Sequence, residues 1–185
     1  MKQEIIIAGF GGQGVLSLGM TLAYAGLVEG REVSWMPSYG PEMRGGTANC
    51  TVILSTQKVS SPIIKYYDTA IILNQPSLDK FEHRVKPGGL LLYESNNILT
   101  PPANTDIEIR PVPAALEAGK FNKKVLNMII LGAFLGLRPV LKTESVLTAL
   151  KKVLPDRHHH LIPVNEKALQ RGRSLVQESL IVEEK

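Results

Sequence analysis

The sequence predicts an α/β fold: a three-layer, mainly parallel Rossmann-like sheet flanked by helices, with a helix-rich C-terminal third. Three observations predict it. A continuous apolar run at 5–8, three of its residues β-branched, feeds a glycine-dense turn and then a helical stretch at 15–28. Apolar runs and helical periodicities alternate after that, as parallel strands and their crossovers require. Beyond Pro113 the pattern turns helical. Residues 1–185 are read as one domain, a length that can bury a substantial core.

Residues 5–8 read as a strand buried on both faces, because no polar residue alternates with the apolar ones. The helix that follows reaches about Glu29, where Gly30 is placed to stop it. Residues 32–36 are a second strand, and strand–helix–strand in so short a span is the βαβ unit of a parallel sheet. The stretch 37–47 is a loop holding Glu42 and Arg44 among glycines and prolines, and 49–54 is a third, alternating strand. Strands at 69–73 and 90–93 are separated by a helix at 78–85 and a Pro87-Gly88-Gly89 turn. A short strand at 107–109 belongs at a sheet edge, since prolines flank it. The run 125–137 is apolar around most of its circumference and reads as a core helix packed on the sheet. Val146, Leu147, Leu150 and Leu154 keep helical spacing through 144–154, and 165–180 is a final amphipathic helix.

Composition bounds the function. Apolar residues are 44% and charged residues 21%, ordinary for a soluble globular chain. The net charge of +4 is mild and its Lys and Arg are scattered, which gives nucleic-acid binding little support. Cys50, the single cysteine, cannot make an intrachain disulfide, hold an iron–sulfur cluster alone or build a Cys-based zinc site. Within its strand it reads as a buried, inert thiol. The first residues lack the basic-then-apolar pattern of a signal peptide, and no apolar run reaches the roughly 20 residues of a membrane span. The longest, 125–137, contains Asn127. The expectation is a cytoplasmic protein without a membrane or nucleic-acid partner.

Two segments carry chemistry. Gly9, Gly11 and Gly14 keep the G-x-G-x-x-G spacing in a strand–turn–helix context, which presents bare N–H groups at a helix N-terminus and favours an anion. A dinucleotide fold also needs an acid at the end of the second strand for the ribose hydroxyls, and that place falls on Pro37. Conventional NAD binding is therefore disfavoured. Gly12 and Gln13 add a bare turn and a carboxamide, suited to an anion, a polar ligand or another protein's backbone. The second segment, Ser38-Tyr39-Gly40-Pro41-Glu42-Met43-Arg44-Gly45-Gly46, follows the second strand and belongs on the same sheet edge. Arg44 would bring a fixed positive charge there, Glu42 could orient it, and Tyr39 could stack on a planar ligand. Two bland readings stand beside these: glycines that only let the first helix pack closely, and a surface turn with an exposed Glu–Arg pair. His158-His159-His160 reads as a polar inter-helix loop rather than a metal site, since adjacent residues diverge. Ser38, Ser60 and Ser61 have no identifiable triad partners.

Gly9-Phe10-Gly11-Gly12-Gln13-Gly14 together with the second segment resembles the gamma subunit of 2-oxoacid:ferredoxin oxidoreductases. The resemblance continues through Leu73-Asn74-Gln75-Pro76-Ser77, Lys86-Pro87-Gly88-Gly89, Asn127 with Leu131-Gly132-Ala133, and Asn165, Ala168 and Gly172, so it covers nearly the whole chain. It implies a subunit that is inactive alone, within a complex of alpha, beta and delta subunits. That complex decarboxylates a 2-oxoacid oxidatively, passing the acyl group to coenzyme A and two electrons to ferredoxin. Thiamine diphosphate, Mg2+ and 4Fe-4S clusters are implied on the partner subunits, with no redox cofactor here. The resemblance implies that Gly9, Gly11, Gly12, Gln13, Gly14, Ser38, Tyr39, Gly40, Glu42, Arg44, Gly45 and Gly46 face the active site or coenzyme A, with no catalytic or metal-binding residue in this chain. Two rival readings remain: a nucleotide-sensing Rossmann-like module, and a pure interaction subunit that binds no small molecule.

Overall fold

The computed structural model describes residues 1–39 and 46–183. Six strands form one sheet: β1 (Lys2–Phe10), β2 (Glu32–Tyr39), β3 (Thr47–Ser55), β4 (Tyr67–Ile72), β5 (Val85–Glu94) and β6 (Glu108–Val112). Their order is β2-β3-β1-β4-β5-β6. Among these strands β3 alone runs against the rest, pairing antiparallel with both β1 and β2, while β1, β4, β5 and β6 pair in parallel. The sheet is therefore mixed, with one common direction for all but β3.

The helices are α1 (Val15–Val28), α2 (Gln75–Phe81), α3 (Ala114–Gly119), α4 (Leu126–Leu137), α5 (Thr143–Val153) and α6 (Ile162–Glu183). Period-two alternation divides the sheet between two cores. Ile5, Ile7, Ile71, Leu90 and Leu92 face the large cluster that includes α1 and α3–α6, whereas Ile6, Ala8, Ile72 and Leu91 face Leu78 and Phe81 of α2. Burial on both sides explains why β1 reads as an unbroken apolar run. The layers are unequal, for α2 is the one described α-helix in the second cluster.

Differences from the expected elements have local causes. β2 runs on to Tyr39, past Pro37. It is an edge strand bonded only to β3, where a missing N–H is tolerated. The β1–α1–β2 crossover leaves one strand's width between β1 and β2, and the returning β3 fills it. α2 starts three residues before the expected 78 because Asn74 Oδ1 accepts the Ser77 N–H at 2.9 Å and Pro76 sits in the first turn. It gives way after Phe81 to a 3-10 turn, Glu82–Arg84. Pro87, Gly88 and Gly89 lie within β5, where the register with β4 shifts between Tyr67 and Thr69. β6 is an edge strand, as its prolines imply. Gly30, at φ 69°, closes α1: its N–H bonds Leu27 O and the Arg31 N–H bonds Gly26 O.

A charge cluster fastens the edge of the sheet away from the glycine turn. Lys86 Nζ lies 2.6 Å from both Glu4 Oε2 and Asp68 Oδ1, and Lys2 also pairs with Glu4. Burial opposes the Glu4 charge, but the bonds from Lys2 and Lys86 outweigh it and hold the carboxyl below its ordinary range. Glu4 therefore stabilises the fold above the unfolded carboxylate value of about 4.3, and this contribution is lost as pH falls through the lower folded value. Glu4→Gln should cost about 1–2 kcal/mol at pH 7 and reduce the loss of melting temperature between pH 7 and pH 3. An equally steep acid loss in the variant would assign it to other groups.

Candidate functional site at the glycine edge

β1 ends in the turn that starts α1, and it lies where the chain winds first toward β2 and later toward β4. That switch point is where open α/β sheets place ligands, outside the C-terminal ends of their strands. Here a side chain spans it. Gln13 Oε1 accepts the Phe10 N–H at 2.6 Å, and Gln13 Nε2 donates to Leu73 O at 3.1 Å, just beyond β4. The Leu73 N–H in turn donates to Ala8 O at 2.8 Å. Gly9 makes room for this bridge: a Cβ there would stand 2.7 Å from Gln13 Oε1 and 2.9 Å from Leu73 Cβ. Gly12 and Gly14 have φ of 96° and 81°, which L side chains adopt at a cost. Gly14 is also hemmed in, for a Cβ would meet Asn127 Nδ2 at 2.6 Å.

The described ends of the second segment, Ser38-Tyr39 and Gly46, reach the same edge. Tyr39 ends β2 opposite Ala48 of β3, and Ala48 is also the partner of Gly9. The Gly11 N–H donates to Gly46 O at 3.0 Å, a direct bond between the two glycine segments. Ser38 is exposed on β2, opposite Asn49. Gly40, Pro41, Glu42, Met43, Arg44 and Gly45 lie outside the described residues, and with them the expected roles of Glu42 and Arg44. Because β2 extends beyond Pro37, its actual end is Ser38-Tyr39, which also offers no carboxylate for a ribose.

Beside the turn is a depression of about 310 Å³ lined by Phe10, Gly11, Gly12, Gly14, Val15, Leu16, Ser17 and Ala48. α1 starts there with no side-chain cap and no acid in its first turn. Its leading N–H groups have no intrahelical acceptors, and the helix dipole adds positive potential. This edge can take an anion at the mouth of the turn, while the crevice between β1 and β4 is occupied by Gln13. Gln13 therefore directs its carboxamide into the fold, bonding two backbone groups.

Asn127 is a further residue of this edge. It is the one polar side chain in the 125–137 run, and its Nδ2 lies 3.5 Å from Gly14 O. That isolated carboxamide was the available sequence signal. The sequence features set aside stay outside the site. Cys50 is fully buried, and burial pushes its thiol up to about 12. His159 Nε2 lies 3.1 and 3.0 Å from the carbonyls of Lys151 and Leu154 at the end of α5, within a 3-10 helix, Asp156–Leu161, rather than an irregular loop. Among the described residues no three His, Cys, Asp or Glu gather into a group that could hold a metal, and no helix is long and apolar enough to cross a membrane.

A mixed α/β sheet with a glycine turn, an uncapped helix and a self-bridged switch point defines a Rossmann-like fold. Residues 4–175 match the family model described as pyruvate ferredoxin/flavodoxin oxidoreductase, and the chain belongs to that family. It is 40% identical over 179 residues to the ketoisovalerate oxidoreductase subunit VorA of Methanothermobacter thermautotrophicus, covering 96% of this chain but 37% of VorA. The chain thus spans a little over a third of that curated relative. It is also 31% identical over 159 residues to the 2-oxoglutarate synthase subunit KorC of Methanocaldococcus jannaschii, with 84% of this chain and 85% of KorC covered. Among solved structures, the gamma subunit of a keto/oxoacid ferredoxin oxidoreductase from Geobacter sulfurreducens PCA superposes with a TM-score of 0.79 at 28% identity, over 95% of this chain and 99% of that one. These relatives are subunits of oxidoreductases that act on 2-oxoacids.

Proposed function

We propose that this chain, as one α/β domain, is the gamma component of a cytoplasmic 2-oxoacid:ferredoxin oxidoreductase that supports coenzyme A-dependent oxidative decarboxylation to acyl-CoA and CO2. In this reading it carries no redox group. Alpha, beta and delta partners hold thiamine diphosphate, Mg2+ and 4Fe-4S clusters and pass electrons to ferredoxin. The chain's own task is electrostatic: to help hold an anionic coenzyme and close the active site. The observation that carries the proposal is the bond from the Gly11 N–H to Gly46 O, which makes one edge of the two segments on which the family resemblance rests. The N–H groups of Gly12 and Gly14 and the Arg44 guanidinium then supply donors for phosphates, with Tyr39 as a flat contact.

In the assembled complex, Arg44→Ala should raise the apparent KM for coenzyme A roughly tenfold, the loss of one charged hydrogen bond, without lowering the melting temperature of the chain. An unchanged KM takes Arg44 out of the site. One observation favours a second reading: Gln13 already fills the crevice, while Phe10 is 38% exposed beside it, as a contact for another protein would be. In that case the edge only binds a partner subunit. An unaltered coenzyme KM together with weakened subunit association for variants at both Phe10 and Arg44 would favour this alternative.

A further inference from the structure

Behind the glycine turn lies a second cavity, of about 220 Å³, where α1, α4 and α6 begin and α5 ends. Its wall is apolar: Met128, Leu150, Leu154 and Val164 line it. Its polar groups are unevenly used. Asn127 is 8% exposed, and its carboxamide makes one long hydrogen bond, from Nδ2 to Gly14 O, so Oδ1 is left without a donor. Asn165 is 9% exposed and spends Nδ2 on Leu161 O at 2.7 Å, which also leaves Oδ1 as an acceptor. Lys124 and Asn122 stand in the same lining, and the Asn122 Oδ1 accepts the Lys124 N–H, so its Nδ2 is the end available to a ligand. Among the described residues no carboxylate lines the cavity. α1 starts with neither a side-chain cap nor an acid in its first turn, whereas the helical run into α4 is capped by Asn122.

We infer that this cavity binds a short aliphatic carboxylic acid bearing a hydrogen-bond donor on its α-carbon, an α-amino or α-hydroxy acid. The volume is below that of drug-sized pockets, and an apolar wall with a few convergent polar groups is the usual make-up of a small-molecule site. Each part of the ligand has a counterpart. The branched aliphatic tail lies against Met128, Leu150, Leu154 and Val164. The carboxylate takes the Lys124 ammonium and the Asn122 amide, with the uncapped start of α1 adding positive potential. The α-donor meets the Oδ1 acceptors of Asn127 and Asn165, to which no protein group donates among the described residues. A plain acid or a 2-oxoacid lacks that donor and makes no bond to those oxygens. Ser17 lines both this cavity and the depression at the glycine turn, and Asn127 holds Gly14, so occupancy here touches the candidate coenzyme edge.

The test is methyl NMR on the full chain, titrated separately with valine, its 2-hydroxy analogue, its 2-oxo analogue and isovalerate. Saturable shifts of the Met128, Leu150 and Val164 methyls are expected with valine or the hydroxy acid, at a Kd of about 1 mM or tighter. Which of the two binds identifies the source of the donor. The 2-oxo analogue and isovalerate should bind at least roughly tenfold more weakly, and Lys124→Gln should weaken the best ligand about tenfold with an unchanged melting temperature. Absence of saturable shifts with all four overturns the proposal. So does isovalerate binding as tightly as valine, or undiminished binding by the Lys124 variant.

Discussion

Replacing Gly172 with alanine is expected to cost about 3 kcal/mol, a fall of roughly 10 °C in melting temperature for a chain of this size. α4 and α6 cross at two glycines. A Cβ on Gly172 would stand 1.9 Å from Ile129 O, and one on Gly132 would stand 2.0 Å from Leu169 O. Both obstacles are backbone, so no rotamer change relieves them, and the helices must separate along a contact that buries Ile129, Leu169 and Val176. Gly132→Ala should behave alike. Gly119→Ala is the control: nothing lies within 4 Å of its added Cβ, and the change should stay within about 0.5 kcal/mol. Urea or thermal unfolding of the three variants decides the matter, and a Gly172 variant as stable as the Gly119 one would mean that the helices do not cross this closely.

Gly14→Ala should be the most damaging change in the glycine turn, at about 2–3 kcal/mol. Two costs combine there: a left-handed conformation for a residue with a Cβ, and a clash with the Asn127 side chain, whose Nδ2 and Cγ would lie 2.6 and 2.8 Å away. Gly12→Ala has only the first, for nothing stands within 4 Å of its added Cβ, and should cost about 1 kcal/mol. The two contributions separate in a double-mutant cycle. Asn127→Ala placed on Gly14→Ala removes the clashing amide and should recover about 1 kcal/mol relative to additivity. Strict additivity would show that strain alone accounts for Gly14.

Both predictions turn on positions whose glycine is visible in the sequence but whose reason is not. β1, α1 and α5 were legible because their patterns are local: a run buried on both faces, a glycine stop, a repeat of Val146, Leu147 and Leu150. The direction of β3 was not, since alternation along 49–54 is the same for either orientation. Pro37 looked like the end of a strand because proline breaks ladders, and only the position of β2 at the sheet edge makes it harmless. At the site, Gly11 and Gly46 were rightly placed on one edge, as the bond between them records. The inward turn of Gln13 was hidden for a different reason. Its partner, Leu73 O, is a backbone carbonyl 60 residues away, and a carbonyl carries no residue signature. Asn127 stood out in its apolar helix, but its neighbour Gly14 is 113 residues distant.

The Gln13 bridge and the Asn127 contact have a common consequence for how the edge can be altered. The strands that frame the two glycine segments, β1, β2 and β3, are all complete by Ser55. The frame is local in sequence, whereas its fastenings come from afar, one from the residue after β4 and one from the first turn of α4. Sequence change in those remote places can retune the turn while every glycine in it stays the same.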